Sequence, residues 1–301
     1  MRAIAPLTLG QAEAPLDETE PRYACILLAY DGSPSADDAL AWAADLALAH
    51  DASVIVASAC PTPALAGPYV QAYGWYAALA ENYAEMEAQM RRASDDAAAT
   101  LTQRGVRATA RFLSGSPTRE IARLAREERA DLLVIGAGKG SHGAARLGRV
   151  ASGLLHQAPC SILFARGSPD ARRVLAATDG SRASARAVAL ALRFASAKHA
   201  ELAVLHVLDR AHVGDPQPSR EGLLKAVTEH LHLPEAPSRV RYLMDAGDPP
   251  ERILQHARDE SADLVVVGAH GKGLVERLTI GSTSGKVVQD ASCSVLVVRL
   301  A

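Results

Sequence analysis

The stretch "LSGSPTREIARLAREERADLLVIGA" (Leu113–Ala137) recurs as "DAGDPPERILQHARDESADLVVVGA" (Asp245–Ala269), at a constant offset of 132 residues. Each ends in an Ala-Asp-Leu step and an apolar run closed by glycine. Such a run reads as a buried strand of a parallel sheet, whose two faces are both covered. The closing glycine lets the backbone turn sharply or approach a ligand.

The repetition extends outward. "ILLAYDGSPSADDALAWAADLALAH" (Ile26–His50) resembles "VLAATDGSRASARAVALALRFASAKH" (Val174–His199), with Asp31 on Asp179 and His50 on His199, an offset of 148 to 149. The first copy therefore carries about sixteen extra residues between Ser58 and Gly115. After each Asp-Gly-Ser, Leu40, Ala43, Ala44 and Ala47 correspond to Val188, Ala191, Leu192 and Ala195. That spacing puts one helix face against a sheet. Each copy alternates strands with helices, which demands parallel pairing and right-handed crossovers. The expected fold is α/β: two tandem doubly wound, Rossmann-like domains, each a five-stranded parallel sheet flanked by helices. They are expected at 21–167 and 168–301, joined near Gly167–Arg173, behind a disordered tail over 1–20.

Composition agrees with this class. The 301 residues suffice for two domains with cores of their own. Hydrophobic residues at 49% with aromatics at only 4% suit close helix-on-sheet layers built from Ala, Val and Leu. A net charge of -2 supplies no basic field for nucleic acid or an anionic membrane. No apolar run reaches the length of a membrane span, and the N-terminal segment lacks the apolar centre of a signal peptide. Cys25, Cys60, Cys160 and Cys293 have no metal-ligand spacing and read as free thiols in a reducing cytoplasm. The insert "PTPALAGPYVQAYGWYAALAENYAEMEAQMRR" (Pro61–Arg92) opens with proline and glycine and is expected to turn helical from about Trp75. It reads as a lengthened second helix with a loop over the end of the sheet, or as a lid or partner surface.

Three glycine patterns compete for the role of phosphate loop. "GSTSGK" (Gly281–Lys286) has three residues, not four, between its glycine and Gly-Lys, and Val287 follows, so it is not a Walker A loop. "GKGSHG" (Gly138–Gly143) is a literal G-x-G-x-x-G, yet no Asp or Glu occurs from Ala144 to Pro169 to hold a ribose. The third pattern is Gly268, Gly271, then Gly281 and Ser282 after nine residues. It places backbone amides past a strand's carboxyl end and opens the next helix with unpaired amides, which favour an anion.

With that third pattern, both Asp-Gly-Ser turns, both "ADL" strands and the "APC" and "ASC" turns, the chain resembles a tandem universal stress protein from about Arg22 onward. The resemblance implies the adenine-nucleotide α-hydrolase-like variant of the fold and ATP, accompanied by Mg²⁺, as ligand. It places Asp179 at the adenosine end, the Val207 backbone at the adenine edge, and Gly268, Gly271, Gly281, Ser282 and Thr283 around the phosphates. The alternative reading of Asp179 is an N-cap or Asx-turn residue before a helix; the ligand role is preferred, since strand-end carboxylates face the crevice in such folds. His270 and Lys272, inside the loop, could each touch phosphate; neither has metal-ligand spacing. The first copy's candidates are Asp31, Ser58, Gly136, Gly138, Gly148 and Arg149. One residue is missing from its loop and Arg149 stands where Ser282 does, so its phosphate end departs from the pattern.

The implied function is a nucleotide-dependent regulatory protein of the stress response. No catalytic residue is assigned: nothing supplies a base or arginine finger, so hydrolysis is expected to be slow at most. The rival readings are an adenine-nucleotide hydrolase or transferase, and a nucleotide-free interaction module with a protein partner. The family's habit of pairing fifth strands implies that "SILFAR" and "SVLVVR" pair within this chain as a built-in dimer, with a homodimer as the alternative.

Overall fold

The structure, a computed structural model, describes residues 23–61, 75–138, 147–209, 240–270 and 280–299. The expected tail over 1–20 and the loop half of the insert lie outside the described residues. The first half runs β1 (Cys25–Ala29), α1 (Pro34–His50), β2 (Ser53–Cys60), α2 (Trp75–Gln103), β3 (Arg107–Ser114), α3 (Pro117–Glu127), β4 (Leu132–Gly136), α4 (Arg149–Gln157) and β5 (Ser161–Ala165). The second runs β6 (Arg173–Thr178), α5 (Arg182–Lys198), β7 (Glu201–Asp209), β8 (Val240–Gly247), α6 (Pro249–Asp259), β9 (Leu264–Gly268), α7 (Ser282–Asp290) and β10 (Ser294–Val298).

The strands form one ten-stranded sheet in the order β3-β2-β1-β4-β5-β10-β9-β6-β7-β8. Within each half every pairing is parallel; at the seam β5 meets β10 antiparallel, with Leu296 opposite Leu163. The pairing of "SILFAR" with "SVLVVR" thus occurs within the chain, and it covers two sheet edges that would otherwise be bare. Because polarity reverses at the seam, the carboxyl ends of the two halves' strands point to opposite sides.

Alternate strand residues feed two core layers. Ile26, Leu28, Val174 and Ala176 pack under α1, α2 and α5, while Leu27, Ala29, Leu175 and Ala177 pack under α3, α4, α6 and α7. The Asp of each "ADL" step acts as a staple. Asp131 Oδ2 accepts from the backbone N–H groups of Ala24 (2.7 Å) and Cys25 (2.9 Å), and Asp263 Oδ2 from those of Arg172 (2.8 Å) and Arg173 (2.9 Å). The fourth strand of each half is thereby fixed against the start of its first.

Helices α1 and α5 are both 17 residues long, are capped by Ser33 and Ser181, and end on left-handed residues, Asp51 and His199, each with φ 52°. The structural equivalents are therefore Asp51 with His199 and His50 with Lys198, which corrects the alignment of His50 on His199. Helix α2 begins at Trp75, as its composition suggested, and continues for 29 residues. Its Ala93 lies 3.5 Å from where a Cβ on Gly32 would sit. Its Tyr83 phenol lies beside the Cys60 thiol at the end of β2; that neighbour, and burial after it, push the phenol up to about 12.

The seam is built by exchange. Arg166, just past β5, donates to the carbonyls of Cys293 (3.1 Å) and Val288 (2.9 Å) in the other half, and Arg299, just past β10, donates to that of Leu155 (3.1 Å). Across the same seam Trp42 stacks on Phe194, with ring centroids 5.7 Å apart, and Lys198 pairs with Asp45. No helix among the described residues is long and apolar enough to cross a membrane.

Candidate functional site

In the second half the strand order reverses between β6 and β9: β7 and β8 lie on one side, β10 on the other. Open α/β sheets hold ligands at such a point, outside the carboxyl ends of the strands. Two turns meet there. One is Asp179-Gly180-Ser181 after β6, the other the segment from Gly268 to His270 after β9.

Asp179 is partly exposed, and its Oδ1 accepts from the Ser181 N–H at 2.9 Å, so the Asx turn anticipated from the sequence is present. The Ser181 hydroxyl accepts from the Ser184 N–H at 3.2 Å and caps α5. Gly268 has a packing reason of its own. A Cβ there would lie 2.9 Å from Ser184 N and 3.0 Å from the Ala183 carbonyl carbon, because the first turn of α5 rests on the end of β9. Gly136 is more crowded still, with Ser35 O only 2.2 Å from the equivalent point. This close approach explains why both halves have glycine here, whatever they bind.

The first turn of α7 reaches the same place. Gly281 precedes the helix in extended conformation, donates its N–H to Ala269 O at 2.8 Å, and gives the helix no side-chain cap. The next residues, Ser282 and Thr283, begin the helix, so their amides have no intrahelical acceptor. Ser284 is buried, and its hydroxyl donates to Gly268 O at 2.6 Å, tying the helix start to the strand end. A Cβ on Gly281 would come no nearer than 3.4 Å to Ala269 O and 3.9 Å to His270 Cα, which leaves room at the mouth of the helix. Gly271 and Lys272 lie outside the described residues.

Val207 sits one residue past the last shared pair of β6 and β7, Thr178 with His206, and opposite Asp245 of β8. Its backbone edge toward β6 therefore extends beyond that strand. The buried His206 beside it has Nδ1 2.8 Å from Thr178 O. In the first half Ser58 takes the matching place, buried, with its hydroxyl donated to Tyr30 O at 2.6 Å.

The first half repeats the frame without the hydroxyls. Asp31 Oδ1 accepts from Ser33 N–H at 3.0 Å, and α4 opens on an uncapped Gly148 as α7 does on Gly281. Arg149, Val150 and Ala151 stand where Ser282, Thr283 and Ser284 do, so the strand-end tie made by Ser284 has no counterpart. Arg149 is exposed, and Gly138 closes the described part of its loop.

Ser284, Ser184 and Thr178 were missed by motif reasoning. Ser184 Oγ lies 3.0 Å from Thr178 Oγ1 and donates to Ser181 O, making a small hydroxyl knot under the Asp179 turn. The available signal was the third hydroxyl of "GSTS", two residues beyond the motif's last position.

Comparison with known proteins agrees with the duplicated frame. A universal stress protein of Mycobacterium tuberculosis is 30% identical over 307 aligned residues, covering 91% of this chain and 96% of that protein. One from Thermus aquaticus is 38% identical over 136 residues, which is 42% of this chain but 98% of that one. The crystal structure of a universal stress protein from Archaeoglobus fulgidus superposes with a TM-score of 0.70 at 21% identity, covering 91% of this chain and 98% of that one, a likeness of fold. The family model described as the universal stress protein family matches twice, over residues 22–166 and 171–299, and the chain belongs to that family.

Proposed function

We propose that the second half binds ATP, carried with Mg²⁺, and that occupancy sets the conformation or partner choice of a regulatory protein of the stress response. The observation that supports this best is the α7 N-terminus: a helix opening on glycine, uncapped, tied by Ser284 to the end of β9 beside the Asp179 turn. Its amides and dipole suit a phosphate chain. Asp179 would take the adenosine end, the Val207 backbone the adenine edge, and Gly268, Gly271, Gly281, Ser282 and Thr283 would surround the phosphates. Among the described residues no group of three His, Cys, Asp or Glu could hold an ion, so Mg²⁺ would arrive on the phosphates it neutralises.

The first half, with Arg149, Val150 and Ala151 at its phosphate end, would bind ATP more weakly or not at all. No base or arginine finger is assigned, and hydrolysis would be slow. Titration calorimetry tests the reading. ATP should bind the wild type and fail to bind Gly281→Val, whose side chain would enter the mouth of α7 while the backbone stays in an ordinary conformation. Equal affinity in the two proteins would reject the phosphate cradle. Identifying the nucleotide released when the purified protein is denatured would separate ATP from other adenine ligands.

A further inference from the structure

Helices α4 and α7 open at Gly148 and Gly281, and they end alike. Ala158 N–H donates to Leu154 O and Ala291 N–H to Val287 O, each at 2.9 Å. The next carbonyl, Leu155 O in α4 and Val288 O in α7, is one of those a helix end leaves without an intrahelical donor. In both helices an arginine of the opposite half takes it: Arg299 Nη2 reaches Leu155 O at 3.1 Å, and Arg166 Nη2 reaches Val288 O at 2.9 Å. Helix α7 has no basic residue in its last turn and finishes on Asp290, so the cation that its negative end favours comes from the first half.

We propose that Arg166 and Arg299 are crossed positioning residues: Arg166 of the first half sets α7 and its mouth at Gly281, and Arg299 of the second half sets α4 and its mouth at Gly148. In treating those mouths as ligand sites the inference rests on the nucleotide reading above, and it adds that each is completed from the other half. Both arginines are only 5% exposed, and their backbones are pinned. Arg166 donates its N–H to Ser294 Oγ at 3.0 Å and accepts from that hydroxyl at 3.1 Å, while Arg299 N–H donates to Ser161 Oγ at 3.2 Å. One residue earlier, Ala165 O accepts from Ala137 N–H at 2.9 Å and Val298 O from Ala269 N–H at 2.8 Å, the donors being the residues that follow β4 and β9. Each guanidinium is therefore a fixed post between the strand end of its own half and the helix of the other. Both helices have nine residues, about 1.5 Å of rise apiece, and so short a rod carries a displacement of its last turn to its first. Groups that hold a ligand need placement to within about 0.5 Å, which their supporting contacts supply.

The test compares full-length wild type with Arg166→Met and Arg299→Met. Arg166→Lys and Arg299→Lys, which keep the charge but not the planar fork, carry the comparison should a methionine variant not fold. Amide exchange is measured first without nucleotide, at the first bonded amide of each helix: Gly285, which donates to Gly281 O at 3.0 Å, and Ser152, which donates to Gly148 O at 2.9 Å. Amides of β1 and β6 report global opening. Arg166→Met is expected to speed exchange at Gly285 more than at Ser152, and Arg299→Met the reverse, with the lysine variants between them and wild type. Equal acceleration at both helices, or none, overturns the inference, since arginines that merely hold the seam would loosen both halves alike. Calorimetry with ATP and Mg²⁺ follows. Arg166→Met should lose about 2- to 30-fold in affinity, the span for residues that act on a site without touching its ligand, and Arg166→Lys should recover part of it. Full affinity in Arg166→Met also overturns the inference. Failure of ATP to bind the wild type overturns the nucleotide reading alone, because the crossed exchange pattern is read without it.

Discussion

Gly268 and Gly281 belong to one motif and do different jobs. At Gly268 an added Cβ would lie 2.9 Å from the backbone of α5, which cannot give way without moving the helix, whereas at Gly281 the nearest atom would be 3.4 Å away. Gly268→Ala is therefore expected to cost about 1–3 kcal/mol, the range for overpacking, read as a lower denaturant midpoint. Gly281→Ala should change stability by no more than about 0.5 kcal/mol, as surface substitutions do, yet weaken ATP binding. If Gly268→Ala proves neutral in denaturant, the close packing of α5 on β9 is wrong. The sequence shows that glycine is wanted at both places, because a strand-end glycine is a local signal. Which atom it makes room for depends on Ser184, far away along the chain, and no spacing rule contains that contact. Ser284 escaped for the same reason: its bond to Gly268 spans a loop.

Among the elements, β8 and α6 are joined by a pair whose strength should depend on pH. Arg241 of β8 donates to Glu260, the residue that closes α6, with Nη1 3.2 Å from Oε1, and this bond holds the carboxyl below its ordinary range. A carboxyl depressed in the folded state stabilises the fold above its unfolded value, about 4.3 for glutamate. That contribution is lost as pH falls through the folded value. Arg241→Ala should thus be less stable than wild type at pH 7 by no more than about 1 kcal/mol, as for partly exposed pairs. The two proteins should converge between about pH 5 and 3 in urea melts followed by circular dichroism; a gap that widens on acidification would contradict the pairing. Most elements were legible because their signals are periodic and local: the apolar runs before Gly136 and Gly268, and the four-position stripe shared by α1 and α5. Even the start of α2 at Trp75 could be read from the end of a proline and glycine segment. The β5–β10 pairing came only through the family resemblance, and the exchanged arginines not at all, since their acceptors are carbonyls of the opposite half.

At the scale of the molecule, those arginines make the two halves one body. Arg166 is 5% exposed and gives its guanidinium to two carbonyls across the seam. Arg166→Met should leave the carbonyls of Cys293 and Val288 without those donors and cost roughly 1.5–3 kcal/mol, as for hydrogen bonds to charged groups. Scanning calorimetry should then show a lower melting temperature and a broader transition, as the halves begin to unfold separately; an unchanged endotherm would mean that the seam is held by its apolar contacts alone. The helices that meet there have also diverged in sign. Helix α1 carries Asp37, Asp38 and Asp45 with no Lys or Arg, while α5 carries Arg182, Arg186, Arg193 and Lys198 with no acid. Two first halves brought together would set acid against acid, so the charge pattern favours the partner within the same chain. The single reversal of strand polarity at β5 and β10 gives the molecule two poles, the strand ends of one half facing away from those of the other. No small ligand can reach both, and one bound at the first pole cannot crowd out one bound at the second. On the reading proposed above, a resin bearing immobilised ATP would hold the chain by its second half, with the strand ends of the first half turned toward the solution and free to be titrated in place.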